Sequence, residues 1–147
     1  MSLGDWLRNG WLVKHETSPQ EIIELLRIAD RDLRECQAAG LSPDWRLAIA
    51  YNSALGSATA ALSAAGFRTT RDGQHYRIIQ SLAYTIGAGA DMIARLDGFR
   101  KKRNISDYEQ SGAVSSQEAN EIFILARMLR KSVGDWLKNN HPKLLQE

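Results

Sequence analysis

Residues 18–40 read SPQEIIELLRIADRDLRECQAAG, and the period of that stretch decides the fold class. Ser18 offers a hydroxyl to cap a helix. Pro19 suits the first helical position, where its missing N–H costs nothing, and Glu21 stands where it completes a capping box. Ile22, Leu25, Leu26, Ala29, Leu33 and Cys36 then recur every three or four residues, the spacing of one helix face. Gly40 ends the helix. The opposite face mixes Glu21, Glu24, Asp30, Asp32 and Glu35 with Arg27, Arg31 and Arg34. Such alternating signs read as a solvated surface rather than as paired carboxylates set for hydrolysis.

The same punctuation recurs downstream. Ser42-Pro43-Asp44-Trp45 opens a second helix that runs to about Gly66, with Trp45, Ala48, Tyr51, Leu55, Ala58 and Leu62 on its inner stripe. Its many Ala, Ser and Gly residues imply close approach of a neighbouring helix. Residues 67–73 read as a connector. A third helix starts near Gln74 and carries Tyr76, Ile79, Leu82, Ala83 and Ile86, and Gly87-Ala88-Gly89 breaks or bends it. Asp91 caps a fourth, with Met92, Ile93, Leu96 and Phe99 inside, and Ser111-Gly112 marks a loop. Ser115 with Glu118 forms another capping box, opening a last helix with Ile122, Leu125, Ala126, Leu129, Val133 and Trp136 inside, which ends before Pro142. No stretch alternates with the period of a strand. The expectation is an all-α, up-and-down bundle of four to five helices over residues 18–147. Ahead of it, residues 1–17 form an extension whose Trp6, Leu7, Trp11, Leu12 and Val13 make a short amphipathic piece, packed on the bundle or on a second chain.

Bulk properties narrow the function classes. A chain of 147 residues is about one domain and buries a core without staples. Its formal net charge of +2 is nearly balanced, so only a local patch argues for nucleic acid. The lone cysteine, Cys36, lies on the apolar side of its helix and reads as a buried structural thiol in a reducing, cytoplasmic setting. The first residues lack the apolar run of a signal peptide, and no segment has the length of a membrane span. The extension's polar face lacks the basic cluster of a membrane-surface helix. His15, His75 and His141 make no metal-ligand spacing, so no metal is expected, and no phosphate-loop, GxSxG or dinucleotide fingerprint occurs. No cofactor is expected.

One segment breaks the apolar pattern. The stripe Met92, Leu96, Phe99 continues by a step of four onto Arg103, and Ile93, Leu96 leads onto Arg100. Two arginines therefore stand where the bundle seam should go on, among Lys101, Lys102, Asn104, Asp107 and Tyr108. Cations at a helix C-terminus are favoured by the dipole, and Arg103 can pair with Asp107 one turn on, so a solvated basic end accounts for the run. The functional reading rests on the mixture. A guanidinium fork matches phosphate oxygens, Lys101 and Lys102 attract a nucleic-acid backbone, and a phenol bonds phosphate or stacks on a base.

The stretch Phe99-Arg100-Lys101-Lys102-Arg103-Asn104-Ile105-Ser106-Asp107-Tyr108-Glu109 resembles the signature segment of HEPN domains. Those domains carry an Arg, often followed by Asn, and then a His a few residues on. The stretch from Asp44 to Leu55 is similar to the second helix of such proteins, and the likeness covers roughly Pro19 to Leu145. The resemblance implies a helical bundle that dimerises so that two motifs face each other. It also implies an RNA-associated function: a metal-independent endoribonuclease, or an RNA- or nucleotide-binding component of a bacterial toxin–antitoxin or defence system with an antitoxin-type partner. Carried over by residue, Arg103 and Asn104 match the Arg-Asn pair, and Tyr108 stands where the family has His. A phenol with an ordinary pKa of about 10 is a poor base at pH 7. On this likeness Arg103 and Tyr108 are the candidate catalytic residues, and Arg100, Lys101, Lys102, Asn104 and His75 the candidate RNA-binding ones. His75 replaces the missing family His only if the fold brings it to Arg103. The alternative is a non-catalytic, dimeric protein-interaction or regulatory bundle in which Arg103 pairs with a carboxylate and fixes register.

Overall fold

The computed structural model describes the backbone of residues 1–108 and 112–146, and the side chains of residues 1–104 and 112–146. The protein is an all-α helical bundle with one small ribbon. Its helices are α1 (Leu3–Arg8), α2 (Pro19–Glu35), α3 (Pro43–Ala64), α4 (Gln74–Gln80), α5 (Ala90–Tyr108) and α6 (Ser116–Asn140), with 3₁₀ turns at Ser81–Ala83 and Pro142–Leu145. The helices α2, α3, α4, α5 and α6 are those expected from the apolar period, α4 being the expected third helix in shortened form, and α1 is an additional short one.

The serine start signals act as capping chemistry predicts, except that the first box is incomplete. The Ser18, Ser42 and Ser115 hydroxyls accept from the N–H groups of Glu21, Trp45 and Glu118. Glu118 reaches back to the Ser115 N–H at 3.0 Å, so that capping box is complete. Glu21 does not complete the first box, because its carboxylate is taken by His15 and Thr17, each at 2.7 Å. Ser115→Ala is expected to cost about 1 kcal/mol, a drop of a few degrees in melting temperature. An unchanged melt would show that α6 does not need its cap.

α3 is the central element, packing most extensively on α6 and α2 and also touching α4 and α5. It is buried around most of its circumference, with Leu47, Ala50, Tyr51, Ala54, Ala58, Ala61 and Leu62 all in the core. Small residues make this possible, since a helix surrounded by others cannot carry large side chains on every face. The Ser53 hydroxyl donates to the Ala29 carbonyl of α2 at 2.8 Å. Trp45, expected on the inner stripe, is 64% exposed, although Asp44 and Arg46 on either side of it bond to Gly112 and Val114 and to Asn120 of α6. Cys36 is buried, its thiol donates to the Leu33 carbonyl, and burial pushes its pKa up.

The N-terminal segment packs on the bundle. Strand β1 (Leu12–Lys14) pairs antiparallel with β2 (Phe67–Thr69), Val13 opposite Arg68. This corrects two expectations, that the chain has no strand and that residues 67–73 are only a connector. Gly66, at φ 98°, makes the turn from α3 into β2. Trp6 is buried edge-to-face against Trp11 and Tyr84, with ring centroids at 6.0 and 5.4 Å.

The third helix is shorter than its apolar period implies. It ends at Gln80, passes through the 3₁₀ turn, and the chain reverses at Gly87 with φ 69°. Ile78, Ile79 and Leu82 are its buried residues, and Tyr76 is 45% exposed rather than inside. Asp91 sits within the first turn of α5 instead of capping it. The loop before α6 is pinned to α3, because the Asp44 carboxylate accepts from the N–H groups of Gly112 and Val114 at 2.6 and 3.3 Å. Among the described residues no helix is long and apolar enough to cross a membrane.

Candidate functional site

Ile93, Leu96 and Phe99 anchor α5 in the core and fix its rotation. The next steps of four along those rows place Arg100 and Arg103 at the junction of α3, α4 and α5. The Arg103 guanidinium lies over the ring of Tyr51 from α3, 5.4 Å from its centroid. Arg100 lies over the ring of Tyr76 from α4 at 5.5 Å. His75, also from α4, packs its ring 6.1 Å from that of Tyr51 at a tilt of 46°. Arg103 of α5 and the imidazole of α4 thus meet at the buried phenol of Tyr51, with Arg100 on the neighbouring ring of Tyr76.

Asp97 organises the row. Its carboxylate accepts from Nε of Arg100 at 2.7 Å and pairs with Lys101 Nζ at 3.6 Å. Because Asp97 takes Arg100 through Nε, the two terminal amino groups of Arg100 make no hydrogen bond among the described residues. They remain available as a fork for an incoming anion.

Electrostatics set the protonation states. Burial and then the positive charges of Arg103 and Arg100 push the pKa of His75 below its ordinary value of 6.5. The imidazole is therefore neutral at pH 7, able to accept a proton. Burial pushes the Tyr51 hydroxyl up to about 12 against the pull of the same two arginines, so it stays a protonated donor. The hydroxyl is buried and has no hydrogen-bond partner among the described residues.

The depressed His75 value has a consequence for folding. Below about pH 6.5 the unfolded chain binds a proton that the folded one refuses, so unfolding takes up a proton and stability falls with falling pH. Above that pH the group contributes no slope. His75→Gln is expected to flatten this acid-side loss in melts between about pH 7 and pH 5. Identical slopes for both proteins would rule out a suppressed His75.

Of the candidate residues named from the sequence, the structure brings together Arg100, Arg103 and His75. Lys101 is exposed on the flank, bound to Asp97, and Asn104 is exposed on the last described turn. Lys102 points to the other side of α5, pairing with Glu118 of α6 at 3.4 Å. The side chains of Asp107 and Tyr108 lie outside the described residues. Tyr51, Tyr76 and Asp97 were not anticipated as site residues. Asp97 was legible from its spacing to Arg100 and Lys101, since residues three and four apart share a helix face. A shallow groove of about 630 Å³ lies elsewhere, lined by Leu41, Arg46, Asn120, Phe123 and Ile124 among others, and holds no comparable constellation. Among the described residues no cluster of His, Cys, Asp or Glu is placed to hold a metal ion. No protein-family model matches the chain, nor does any curated protein.

Proposed function

We propose that this is an RNA-associated, HEPN-like protein that cleaves RNA without a metal, with His75 doing the work the family assigns to its motif histidine. The observation that carries the reading is the placing of Arg103 and a neutral His75 against Tyr51, with Arg100 beside them over Tyr76. In this reading the neutral imidazole removes the proton of a ribose 2′-hydroxyl. The 2′-oxygen attacks the adjacent phosphorus, the bond to the 5′-oxygen breaks, and that oxygen leaves with a proton from solvent. The products are a 2′,3′-cyclic phosphate and a 5′-hydroxyl. Arg100 and Arg103 hold the non-bridging oxygens and offset the charge that grows on them. Tyr108 and Asn104 complete the motif, and Lys101 adds attraction for the backbone. Within this reading the partners are RNA, a second copy of the chain that brings two motifs together, and an antitoxin-type protein.

The test is incubation of a structured RNA with the protein in EDTA, beside Arg103→Ala. Cleavage by the unaltered protein alone, with 2′,3′-cyclic ends and none at a 2′-O-methyl position, supports the reading. Absence of cleavage and of RNA binding at low salt overturns it.

A second reading has one observation in its favour: Asp97 already neutralises part of the row on its own helix. The arginines then serve packing and register in a non-catalytic interaction bundle. A large loss of melting temperature in Arg103→Ala, with no effect on RNA at any salt, distinguishes it.

A further inference from the structure

Tyr51 is 1% exposed, and a phenylalanine there would fill the same space in the core. Its hydroxyl nevertheless lies buried with no hydrogen-bond partner among the described residues. Buried polar groups are nearly always satisfied, and one that is not needs a reason. The indole Nε1 of Trp6 and the hydroxyl of Ser57 are also buried without a hydrogen-bond partner among the described residues. What separates Tyr51 from them is its surroundings. The Arg103 guanidinium covers its ring, His75 packs beside it, and the charges of Arg103, Arg100 and Asp97 all act on the hydroxyl.

We propose that the Tyr51 hydroxyl is a substrate-binding donor: it gives a hydrogen bond to a non-bridging oxygen of a phosphodiester held by Arg100 and Arg103. The inference rests on the RNA-directed reading and adds a contact to it. An anion drawn to the open fork of Arg100 draws the Arg103 side chain off the tyrosine ring. That rotation uncovers the phenol edge without moving a helix, a side-chain change of the kind common on binding. The phenol stays protonated, so it supplies a donor where His75 supplies an acceptor. It carries no charge, and it therefore attracts no anion until one is already seated. No described residue satisfies the hydroxyl, and the bound phosphate does.

The decisive variant is Tyr51→Phe, compared with Arg100→Ala, using a short fluorescein-labelled oligouridylate in EDTA and thermal melts without RNA. Removing an unsatisfied buried hydroxyl leaves the ligand-free melting temperature unchanged or raises it. Affinity for the oligonucleotide falls about tenfold or more, the value of a hydrogen bond to a charged acceptor. The dependence of affinity on salt keeps its slope in Tyr51→Phe, because no charge is lost, whereas Arg100→Ala lowers the slope by about one ion. A structural role for the hydroxyl would give the reverse pattern, a lower melting temperature with affinity retained, and that result overturns the proposal. If Tyr51→Phe binds like the unaltered protein while Arg100→Ala is weakened, the RNA reading stands and the Tyr51 inference falls. If the unaltered protein does not bind the oligonucleotide at low salt, both fall together.

Discussion

Arg103→Ala is expected to lower the rate of RNA cleavage in EDTA by about a hundredfold to a thousandfold, the usual cost of removing a donor aimed at the charge that grows in a transition state. Affinity for RNA falls less, because Arg100 keeps its open fork and Lys101 its exposed charge. The salt dependence of binding loses about one ion. Arg103→Lys keeps the charge but not the planar fork, and recovers only part of the rate. A second signature follows from His75. Arg103 is one of the groups that hold the imidazole pKa down, so its removal moves that pKa back toward 6.5. The acid limb of the pH–rate profile therefore shifts upward in Arg103→Ala and again, more weakly, in Arg100→Ala. A rate loss with no such shift would place Arg103 on the substrate but not beside the base. Retention of full activity by Arg103→Ala would remove the arginine row from the mechanism.

The second large effect concerns α6. Leu129 is fully buried in the core that α6 shares with α3, and its neighbour Met128 is 51% exposed. Leu129→Ala is expected to cost about 2–5 kcal/mol, lost transfer energy plus the cavity left among rigid helices. For a chain of this length that is a fall of about 10 °C in melting temperature. Met128→Gln is expected to stay within about 0.5 kcal/mol in the isolated chain, as exposed changes do. Thermal melts at two protein concentrations make the comparison informative. If Met128→Gln destabilises the protein, and more so at the higher concentration, then Met128 lies in an interface with a second copy and α6 is covered on both faces. If the two substitutions cost the same at every concentration, the assignment of the buried face of α6 is wrong.

Much of this protein is local, and was therefore legible in the sequence alone. Ser-Pro and the box of Ser115 with Glu118 act through hydrogen bonds within one turn, so they mark helix starts without knowledge of the fold. The apolar stripes of α2 and α6 survive as buried rows, because each helix shows one face to the core. The placement of Arg100 and Arg103 on the continuation of the α5 stripe is likewise helical geometry. The rest depends on partners distant in sequence. The ribbon joins Leu12 to Thr69, and its strands are only three residues long, too short to show a period. Trp45 and Tyr76, inside by spacing, lie outside, because burial depends on which face of a helix its neighbours cover. Glu21 left its capping box for His15, a competition that capping rules do not foresee. Above all, His75 and Tyr51 reach the arginine row only because α3, α4 and α5 meet at one place. Periodicity assigns a residue to a face of its own helix. Only the packing of helices decides what that face meets, and in this protein it turns a core tyrosine and a helix-start histidine into neighbours of two arginines.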